Sequence, residues 1–251
     1  MLLYKARRRH EKPADDRFTP MSTRKGWTIG FDADDTLWHN ERFFRITQDR
    51  FAGLLADHVD RDHLEARLLA AERRNLGHYG FGIKGFVLSM IETAIEVTDG
   101  RVPASVIGEL LDAGRDMLAH PIDLMPHARE TVSALADRAE LVLITKGDLL
   151  DQERKLAQSG LGDLFDSVEI VSDKTTATYT RIFARHGGTG MMVGNSLKSD
   201  VIPAINAGGW GVHVPQGLTW ALEHADPPRD HPRFRELDSL AGLPALCDSL
   251  F

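Results

Sequence analysis

Five short apolar runs, separated by segments with helical periodicity, constrain the fold of this 251-residue chain more than any other feature. They occupy residues 27–31, 140–144, 167–171, 190–193 and 210–214. Apolar runs of this length are typical of buried strands, and strands that alternate with helices are typical of a parallel sheet. We therefore predict an α/β fold in which helices cover both faces of a parallel sheet.

A long stretch without a convincing strand separates the first apolar run from the second. Between about residues 41 and 124, apolar side chains such as Leu64 and Leu68 recur at helical spacing. Stripes of this kind are typical of the core faces of a helical bundle. We expect an all-helical unit at 41–124, inserted after the first strand of an α/β core made of residues 26–40 and 125–251.

The first 25 residues are basic and polar, and they contain no apolar segment of the kind found in secretory signals. Met21 is a second possible start of the chain, a few residues before the first apolar run. We expect residues 1–25 to be a disordered or loosely ordered extension. N-terminal mass spectrometry of the native protein would distinguish a start at Met1 from one at Met21.

The net charge, the lengths of the apolar runs and the cysteine count indicate which kinds of partner the protein binds. The formal net charge of -7 argues against nucleic acid, although a local positive site can still bind a small phosphorylated substrate. No apolar run approaches the roughly 20 residues that a membrane-spanning helix needs. The single cysteine, Cys247, excludes a disulfide within the chain, as is usual in a reducing cytosol. We expect a cytoplasmic enzyme, monomeric or homodimeric, that does not bind membranes.

Polar side chains follow the first four apolar runs, at the points where the predicted strands end. They are Asp32 and Asp34, then Thr145, then Lys174, and finally Asn195 with Asp200. Ligands of open α/β sheets bind at the carboxyl ends of the strands, so these residues should share one rim. Two acids, a hydroxyl, an amine and an amide–acid pair suit phosphoryl transfer to a carboxylate.

The two acids after the first strand have different predicted roles. Asp32 is the candidate nucleophile, and a divalent cation would remove the repulsion between it and an anionic phosphate ester. Asp34 can protonate the leaving oxygen and later deprotonate water, and its backbone carbonyl is a candidate metal ligand.

The residues after the later strands have supporting roles. Thr145, with the neighbouring Lys146 and Gly147, is expected to bind the phosphate oxygens. Lys174 can balance the charge of the nucleophile and the phosphoryl group. Asp200 can bind the metal directly or through water, or it can orient Lys174. Each motif alone is weak, and their order along the chain supports the prediction.

Four segments resemble, in order, the motifs of the haloacid dehalogenase-like (HAD) hydrolase superfamily. The first is Phe-Asp-Ala-Asp-Asp-Thr-Leu at 31–37, the second lies at 143–147, the third is Lys174 and the fourth is Gly-Asn-Ser-Leu-Lys-Ser-Asp at 194–200. The resemblance implies a Rossmann-like, three-layer core with a type C1 helical cap. It also implies an aspartyl-phosphate intermediate and Mg2+, held by residues among Asp32, Asp34, Asn195 and Asp200.

Two positions depart from that family pattern. The fourth motif usually begins Gly-Asp, whereas Asn195 follows Gly194 here. A neutral amide should weaken the metal site, so either Asn195 coordinates through its oxygen or Asp200 contributes more. Asp35 stands where many relatives have glycine, and it adds negative charge near the mouth of the site.

The resemblance leaves three activities open. The first is an Mg2+-dependent phosphomonoester hydrolase, with sugar phosphates, phosphoglycolate-like acids and nucleotides all possible substrates. The second is a metal-independent 2-haloacid dehalogenase, because such enzymes also carry asparagine in the fourth motif. They lack an acid two residues after the nucleophile, so Asp34 favours the phosphatase. The third is a binding or regulatory protein with a weakened metal site.

Two further segments are candidates for substrate contact. Trp38 and His39 follow the first motif and are expected to form the hinge into the cap and to contact the substrate. Residues 75–84 are rich in glycine and aromatic side chains. They are either the cap loop that meets the substrate or a plain turn between helices.

Overall fold

A computed structural model describes residues 26–186 and 189–250, so the predicted extension at 1–25 lies almost entirely outside the described residues. The described part contains one six-stranded parallel sheet with strand order β3-β2-β1-β4-β5-β6. The strands are β1 (Trp27–Phe31), β2 (Glu140–Lys146), β3 (Ser167–Val171), β4 (Thr189–Gly194), β5 (Trp210–His213) and β6 (Phe234–Glu236). The predicted α/β fold is confirmed.

The strands differ from the apolar runs by one residue at some ends and, more substantially, in two respects. β2 continues two residues beyond its apolar run, through Thr145 and Lys146, because both pair with β3. The sequence does not predict β6, a three-residue edge strand of which only Phe234 is buried. One buried apolar residue followed by Arg235 and Glu236 is too short a signal to distinguish a strand from a loop.

Nine α-helices lie within the described residues. They are α1 (Glu41–Leu54), α2 (Arg61–Tyr79), α3 (Ile83–Val97), α4 (Ala104–Ala119), α5 (Ala128–Leu135), α6 (Leu149–Ser159), α7 (Thr176–His186), α8 (Ile202–Asn206) and α9 (Leu243–Leu250). A π-helical turn (Leu197–Val201) precedes α8. No helix in this described part is long and apolar enough to cross a bilayer.

Alternate residues of the strands build two separate apolar layers. Leu141 and Leu143 of β2 face a cluster completed by α5 and α9. Val142 and Ile144 face the opposite layer, where Tyr179 and other α7 residues pack. Because successive side chains of a strand point to opposite faces, a run apolar at every position has to be covered on both sides. This arrangement gives the three layers.

Helices α1 to α4 lie between β1 and β2 in sequence and have an apolar core of their own. It includes Phe51, Leu64, Leu68, Met90 and Leu110. The two segments that connect these helices to the sheet pair with each other. The N–H of His39 donates to the carbonyl of Asp123 at 2.9 Å, and residue 125 donates to the carbonyl of residue 37 at the same distance. The chain therefore enters and leaves the helical insert beside the carboxyl end of β1.

A buried hydroxyl on the central strand offers a test of the packing. Thr28 of β1 is fully buried, and its Oγ1 has no hydrogen-bond partner among the described residues. We expect Thr28→Val to stabilise the protein by about 1 kcal/mol, because it removes an unpaired polar atom while preserving the shape. Urea unfolding measures the difference.

The matched control is Thr93→Val in α3. Thr93 is equally buried, but its Oγ1 donates to the carbonyl of Ser89 at 2.8 Å. This variant should lose about 1 kcal/mol, because it removes a hydrogen bond that is made. A loss of stability in Thr28→Val as large as that in Thr93→Val would contradict the unpaired state of the Thr28 hydroxyl.

Candidate active site

A buried ammonium joins the ends of three strands. The Nζ of Lys174, which follows β3, donates to Oδ1 of Asp32 after β1 and, at 2.7 Å, to Oδ1 of Asp200 after β4. All three side chains are almost completely buried. Two carboxylates therefore share one ammonium, and the group carries one surplus negative charge.

The surplus negative charge shifts the pKa values of this group. Burial and the negative charge of Asp200 raise the pKa of Asp32 to about 7, although Lys174 acts in the opposite direction. Burial lowers the pKa of Lys174, but Asp200 and Asp32 outweigh it and raise that pKa above its usual value. Lys174 therefore stays charged, and Asp32 lacks part of the positive charge that would hold it ionised.

Oxygen atoms converge on the other side of Asp32. The Thr36 hydroxyl lies 2.9 Å from Oδ2 of Asp32 and 3.3 Å from Oδ1 of Asn195, and it accepts the N–H of Asn195 at 3.1 Å. A carboxylate oxygen and an amide oxygen thus face the same small space. Both are the hard oxygen donors that Mg2+ prefers, and one or two carboxylates are enough for a site that is completed by water and phosphate.

Asp200 is placed differently from Asn195. Its Oδ1 accepts from Lys174, and its Oδ2 accepts the N–H of Ser196 at 3.0 Å. A Cβ at Gly194 would lie 2.2 Å from Asp200 Oδ2, so this glycine lets Asp200 pack against the end of β4. With both oxygens engaged, Asp200 is positioned to orient Lys174, whereas the side-chain oxygen of Asn195 lies beside the Thr36 hydroxyl that also contacts Asp32.

The donor set fits Mg2+ rather than a transition metal. Within the described residues, no group of three or more His, Cys, Asp and Glu side chains is placed to hold a metal ion. The surplus negative charge around Asp32 and the oxygen of Asn195 suit a hard divalent cation that keeps several waters. An Mg2+ ion would be held by the side-chain oxygens of Asp32 and Asn195 and by the backbone carbonyl of Asp34.

Asp34 has its own set of donors. It accepts from the Trp38 indole N–H at 2.7 Å, from Gln152 Nε2 at 2.8 Å and from Lys155 Nζ at 2.9 Å. Burial alone would raise its pKa, but the charge of Lys155 and these hydrogen bonds outweigh burial and lower the pKa. The pKa values of the two acids after β1 are therefore shifted in opposite directions from the usual value.

The sequence does not identify Gln152 and Lys155. Both lie on α6, and both are buried although they are polar. Polar residues on an amphipathic helix are normally read as solvent-facing. The one available signal is their spacing of three residues, which places them on the same face of the helix just after the second motif.

The substitution at position 35 has a structural reason. Asp35 has φ of 60°, in the left-handed region, where aspartate is tolerated better than most other residues. Its carboxylate accepts the N–H of Asn40 at 2.8 Å and the N–H of Glu41 at 2.9 Å. Asp35 thus satisfies two backbone donors at the start of α1, which a glycine would leave open.

The candidate phosphate-binding residues lie in two places. Thr145 is buried at the edge of the cavity beside Lys174, whereas Gly147 lies in the following turn with φ of 140°. Lys146 Nζ donates to Ser199 Oγ at 2.7 Å and to Glu223 Oε1 at 2.5 Å. Its charge is therefore already paired with a carboxylate that the sequence does not identify.

The two candidate residues at the hinge lie away from the main cavity. Trp38 is fully buried, and its contact with the site is the hydrogen bond to Asp34. His39 lines a second, much smaller cavity beside Phe43 and His120. Through Trp38 the hinge therefore contacts the candidate acid directly, from below the cavity.

One cavity of about 160 Å³ lies between the carboxyl edge of the sheet and the helical insert. Its floor includes Asp32, Asp34 and Lys174. Its roof includes six residues of the segment 75–84: Asn75, Leu76, Gly80, Phe81, Gly82 and Ile83. That segment is the end of α2, a short turn and the start of α3, and it faces the same space as the nucleophile candidate.

The insert also contributes an acid to this cavity. Glu72 of α2 lines the cavity, although only 8% of its surface is exposed. Burial raises its pKa to about 7, and the Trp220 indole N–H, 3.4 Å from Oε2, acts weakly in the opposite direction. The sequence does not identify Glu72, because a glutamate in a charged helix is normally solvated.

Comparisons with known proteins agree on the fold. The family model for haloacid dehalogenase-like hydrolases matches residues 28–208. A haloacid dehalogenase-like family hydrolase from Xanthomonas campestris has a similar structure, with a TM-score of 0.81 and 41% identity over 92% of this chain and 94% of that one. No curated protein matches the sequence.

More distant structures share the fold at low identity. A 2-haloacid dehalogenase from Pseudomonas syringae is 20% identical over 89% of this chain and 99% of its own, with a TM-score of 0.58. The HAD-hydrolase YfnB from Bacillus subtilis, bound to magnesium, is 18% identical over 87% of this chain and 97% of its own, also with a TM-score of 0.58.

The raised pKa of Glu72 predicts a pH-dependent effect on stability. The folded-state pKa of about 7 lies above the usual 4.5, so the unfolded chain ionises first as pH rises. Glu72 therefore lowers the free energy of unfolding of the native protein. The loss increases between about pH 4.5 and about pH 7 and is constant above pH 7. Glu72→Gln should escape this cost and gain up to about 3 kcal/mol over the wild type across that window.

Urea unfolding at pH 5.5 and pH 8 measures this difference. The matched control is Glu65→Gln on the same helix, where the glutamate is exposed and pairs with Arg61. Its effect should be small, because exposed ion pairs contribute little. If Glu72→Gln shifts stability equally at the two pH values, the raised pKa is wrong.

Proposed function

The chain belongs to the haloacid dehalogenase-like hydrolase family, and we propose that it is an Mg2+-dependent hydrolase of a small phosphate monoester. The observation that carries this proposal is Asp34, a second carboxylate in the cavity two residues after Asp32. Hydrolysis of a phosphate ester needs a group that supplies a proton to the leaving oxygen and then accepts one from water. Release of a halide needs no such group.

The first step joins the substrate to Asp32. Its carboxylate attacks phosphorus, the bond between phosphorus and the leaving oxygen breaks, and that oxygen takes a proton from Asp34. Lys174 donates to the attacking carboxylate and, held by Asp200, offsets the negative charge that gathers in the transition state. Bound Mg2+ would neutralise a phosphate oxygen and so reduce its repulsion of Asp32.

The second step returns Asp32 to its starting state. Water attacks the phosphorus of the aspartyl-phosphate while Asp34 removes its proton, and inorganic phosphate leaves. The lowered pKa of Asp34 keeps it ionised for this role. Before the first step Asp34 has to take up a proton, so its contact with Lys155 has to weaken.

Lys155 links that protonation to the insert. Its Nζ donates both to Asp34 and, at 2.8 Å, to the side-chain oxygen of Asn40, immediately before α1. Movement of the insert against the sheet would therefore change the environment of Asp34. Closure of such an insert also excludes water from the first step.

A metal-independent 2-haloacid dehalogenase is the second candidate, and Asn195 is the observation that favours it. A neutral amide provides less attraction for a cation than the aspartate that usually stands there. The fold is shared by a dehalogenase and by a magnesium-bound hydrolase, so it does not separate the two reactions. Asp34 favours the phosphatase, because a departing halide does not need a proton donor.

The nucleophile is tested by Asp32→Asn. We expect turnover of p-nitrophenyl phosphate with millimolar Mg2+ to fall at least about a thousandfold, because the amide cannot attack phosphorus. The matched control is Asp163→Asn, an exposed acid before β3 at the opposite edge of the sheet, which should keep normal turnover. Halide release from a 2-haloacid in the presence of chelator would instead establish the dehalogenase.

The metal site is tested by Asn195→Asp. If Asn195 is a metal ligand, an added negative charge should lower the Mg2+ concentration for half-maximal activity, by about tenfold. Titration of activity with Mg2+ measures this constant for both proteins. An unchanged Mg2+ requirement would exclude position 195 as a ligand, and activity without any Mg2+ would contradict the proposed function.

A further inference from the structure

Glu72 is an acid that the proposed reaction does not use. It lies on α2, in the insert, and it lines the cavity while more than nine-tenths of it is buried. Within the described residues its one polar contact is the Trp220 indole N–H at 3.4 Å, which leaves Oε1 without a partner. No cation of the described chain lies within ion-pair distance. A buried carboxylate without a counter-charge is costly unless a ligand supplies one.

A second acid of the insert faces the same cavity. Glu41, the first residue of α1, also lines it and forms no ion pair within the described residues. Burial first, and then the charges of Asp35 and Glu72, raise its pKa to about 7, and Arg45 offsets only part of this effect. Glu41 and Glu72 line one cavity of about 160 Å³, so both carboxyl groups face the space that a small ligand would occupy.

Aromatic rings line the same wall. Phe81 and Trp220 meet edge to face, with their centres 6.2 Å apart, and both line the cavity. Phe81 already carries the ammonium of Lys146 over its ring, at 3.9 Å. Aromatic faces attract cations and not anions, so the rings and the two carboxylates select the same charge.

We propose that Glu72 and Glu41 form a binding subsite for a primary ammonium on the leaving group of the substrate. The substrate class is then a small phosphate monoester with a free amine, its phosphate at Lys174 and its ammonium against the insert. The assignment rests on the proposed function for the phosphate end. The cavity, about 160 Å³, is below the roughly 300–1,000 Å³ of drug-sized sites and suits a small ester.

Two other occupants fit this wall less well. A metal ion at this wall would lack the phosphate oxygens that complete the site at Asp32, and the rings of Phe81 and Trp220 supply no oxygen ligand. The hydroxyls of a polyol would donate hydrogen bonds, but they would not compensate the negative charge that the two glutamates carry once they ionise, near pH 7. An ammonium has three hydrogen-bond donors and a full positive charge. It can therefore both bond to the carboxylates and compensate their negative charge.

The test compares phosphate esters that differ only in the group distal to phosphate. O-phosphoethanolamine carries an ammonium, 2-hydroxyethyl phosphate a hydroxyl and phosphoglycolate a carboxylate. We expect kcat/KM to be at least about tenfold higher for the ammonium ester than for the hydroxyl ester, and lowest for the carboxylate. A preference for the hydroxyl or the carboxylate ester would overturn the proposal.

Variants of Glu72 test whether the preference for the ammonium ester depends on this residue. Glu72→Gln should lower the ratio of kcat/KM between the ammonium and hydroxyl esters by about tenfold, because it removes the charge and keeps the shape. Glu65→Gln on the same helix should leave the ratio within about twofold. Glu72→Asp retains the charge and should keep part of the preference, which also covers a failure of Glu72→Gln to fold. A ratio unchanged in both Glu72 variants would exclude this subsite.

A binding measurement separates this proposal from the proposed function. Calorimetry on Asp32→Asn compares the affinities of O-phosphoethanolamine and 2-hydroxyethyl phosphate without turnover. Preferred binding of the ammonium ester, with no hydrolysis of any phosphate ester by the wild type, would contradict the phosphatase and support the subsite. Hydrolysis of p-nitrophenyl phosphate without any preference for the ammonium ester would contradict the subsite alone.

Discussion

The candidate active site of this protein depends on one ammonium shared by two carboxylates. Lys174 bonds Asp32 and Asp200, and the three residues come from the ends of three different parallel strands. Burial of charged groups is costly unless they are paired at close range, and here one ammonium pairs with two carboxylates. The parallel sheet supplies that geometry because all its carboxyl ends meet at one edge. Gly194 lets Asp200 approach closely enough to complete it.

Charge is distributed unevenly along this edge of the sheet. As a result, the pKa values of the two acids after β1 are shifted in opposite directions. Asp32 shares Lys174 with a second carboxylate, and its pKa is raised to about 7. Asp34 has Lys155 and two neutral donors, and its pKa is lowered. These directions are opposite to the starting states of the proposed first step, in which Asp32 is ionised and Asp34 is protonated. The unbalanced charge lies at Asp32, next to the oxygen of Asn195, where a divalent cation would compensate it.

The cavity has opposite charge requirements at its two ends. At the sheet, Lys174 faces the space in which a phosphate group would lie. At the insert, Glu41 and Glu72 face it without an ion-pair partner in the described chain, and the rings of Phe81 and Trp220 line the same cavity. Because the insert supplies one end and the sheet the other, a ligand that satisfied both would hold the two parts together. In the two proposals, the sheet therefore provides the chemistry and the insert selects the substrate.

The sequence by itself determined the sheet and the order of the candidate catalytic residues along it. Apolar runs of fixed length predict strands, and the residues that follow parallel strands must meet, so Asp32 and Lys174 could be placed together although 142 positions separate them. The edge strand β6 has too few apolar residues for such a pattern. Only the tertiary structure decided which polar side chains are buried. Lys155 and Glu72 have the periodicity of solvent-facing helix residues, and they are buried because the sheet and the insert close over them. Burial depends on what packs against a helix, and that information lies in distant parts of the chain.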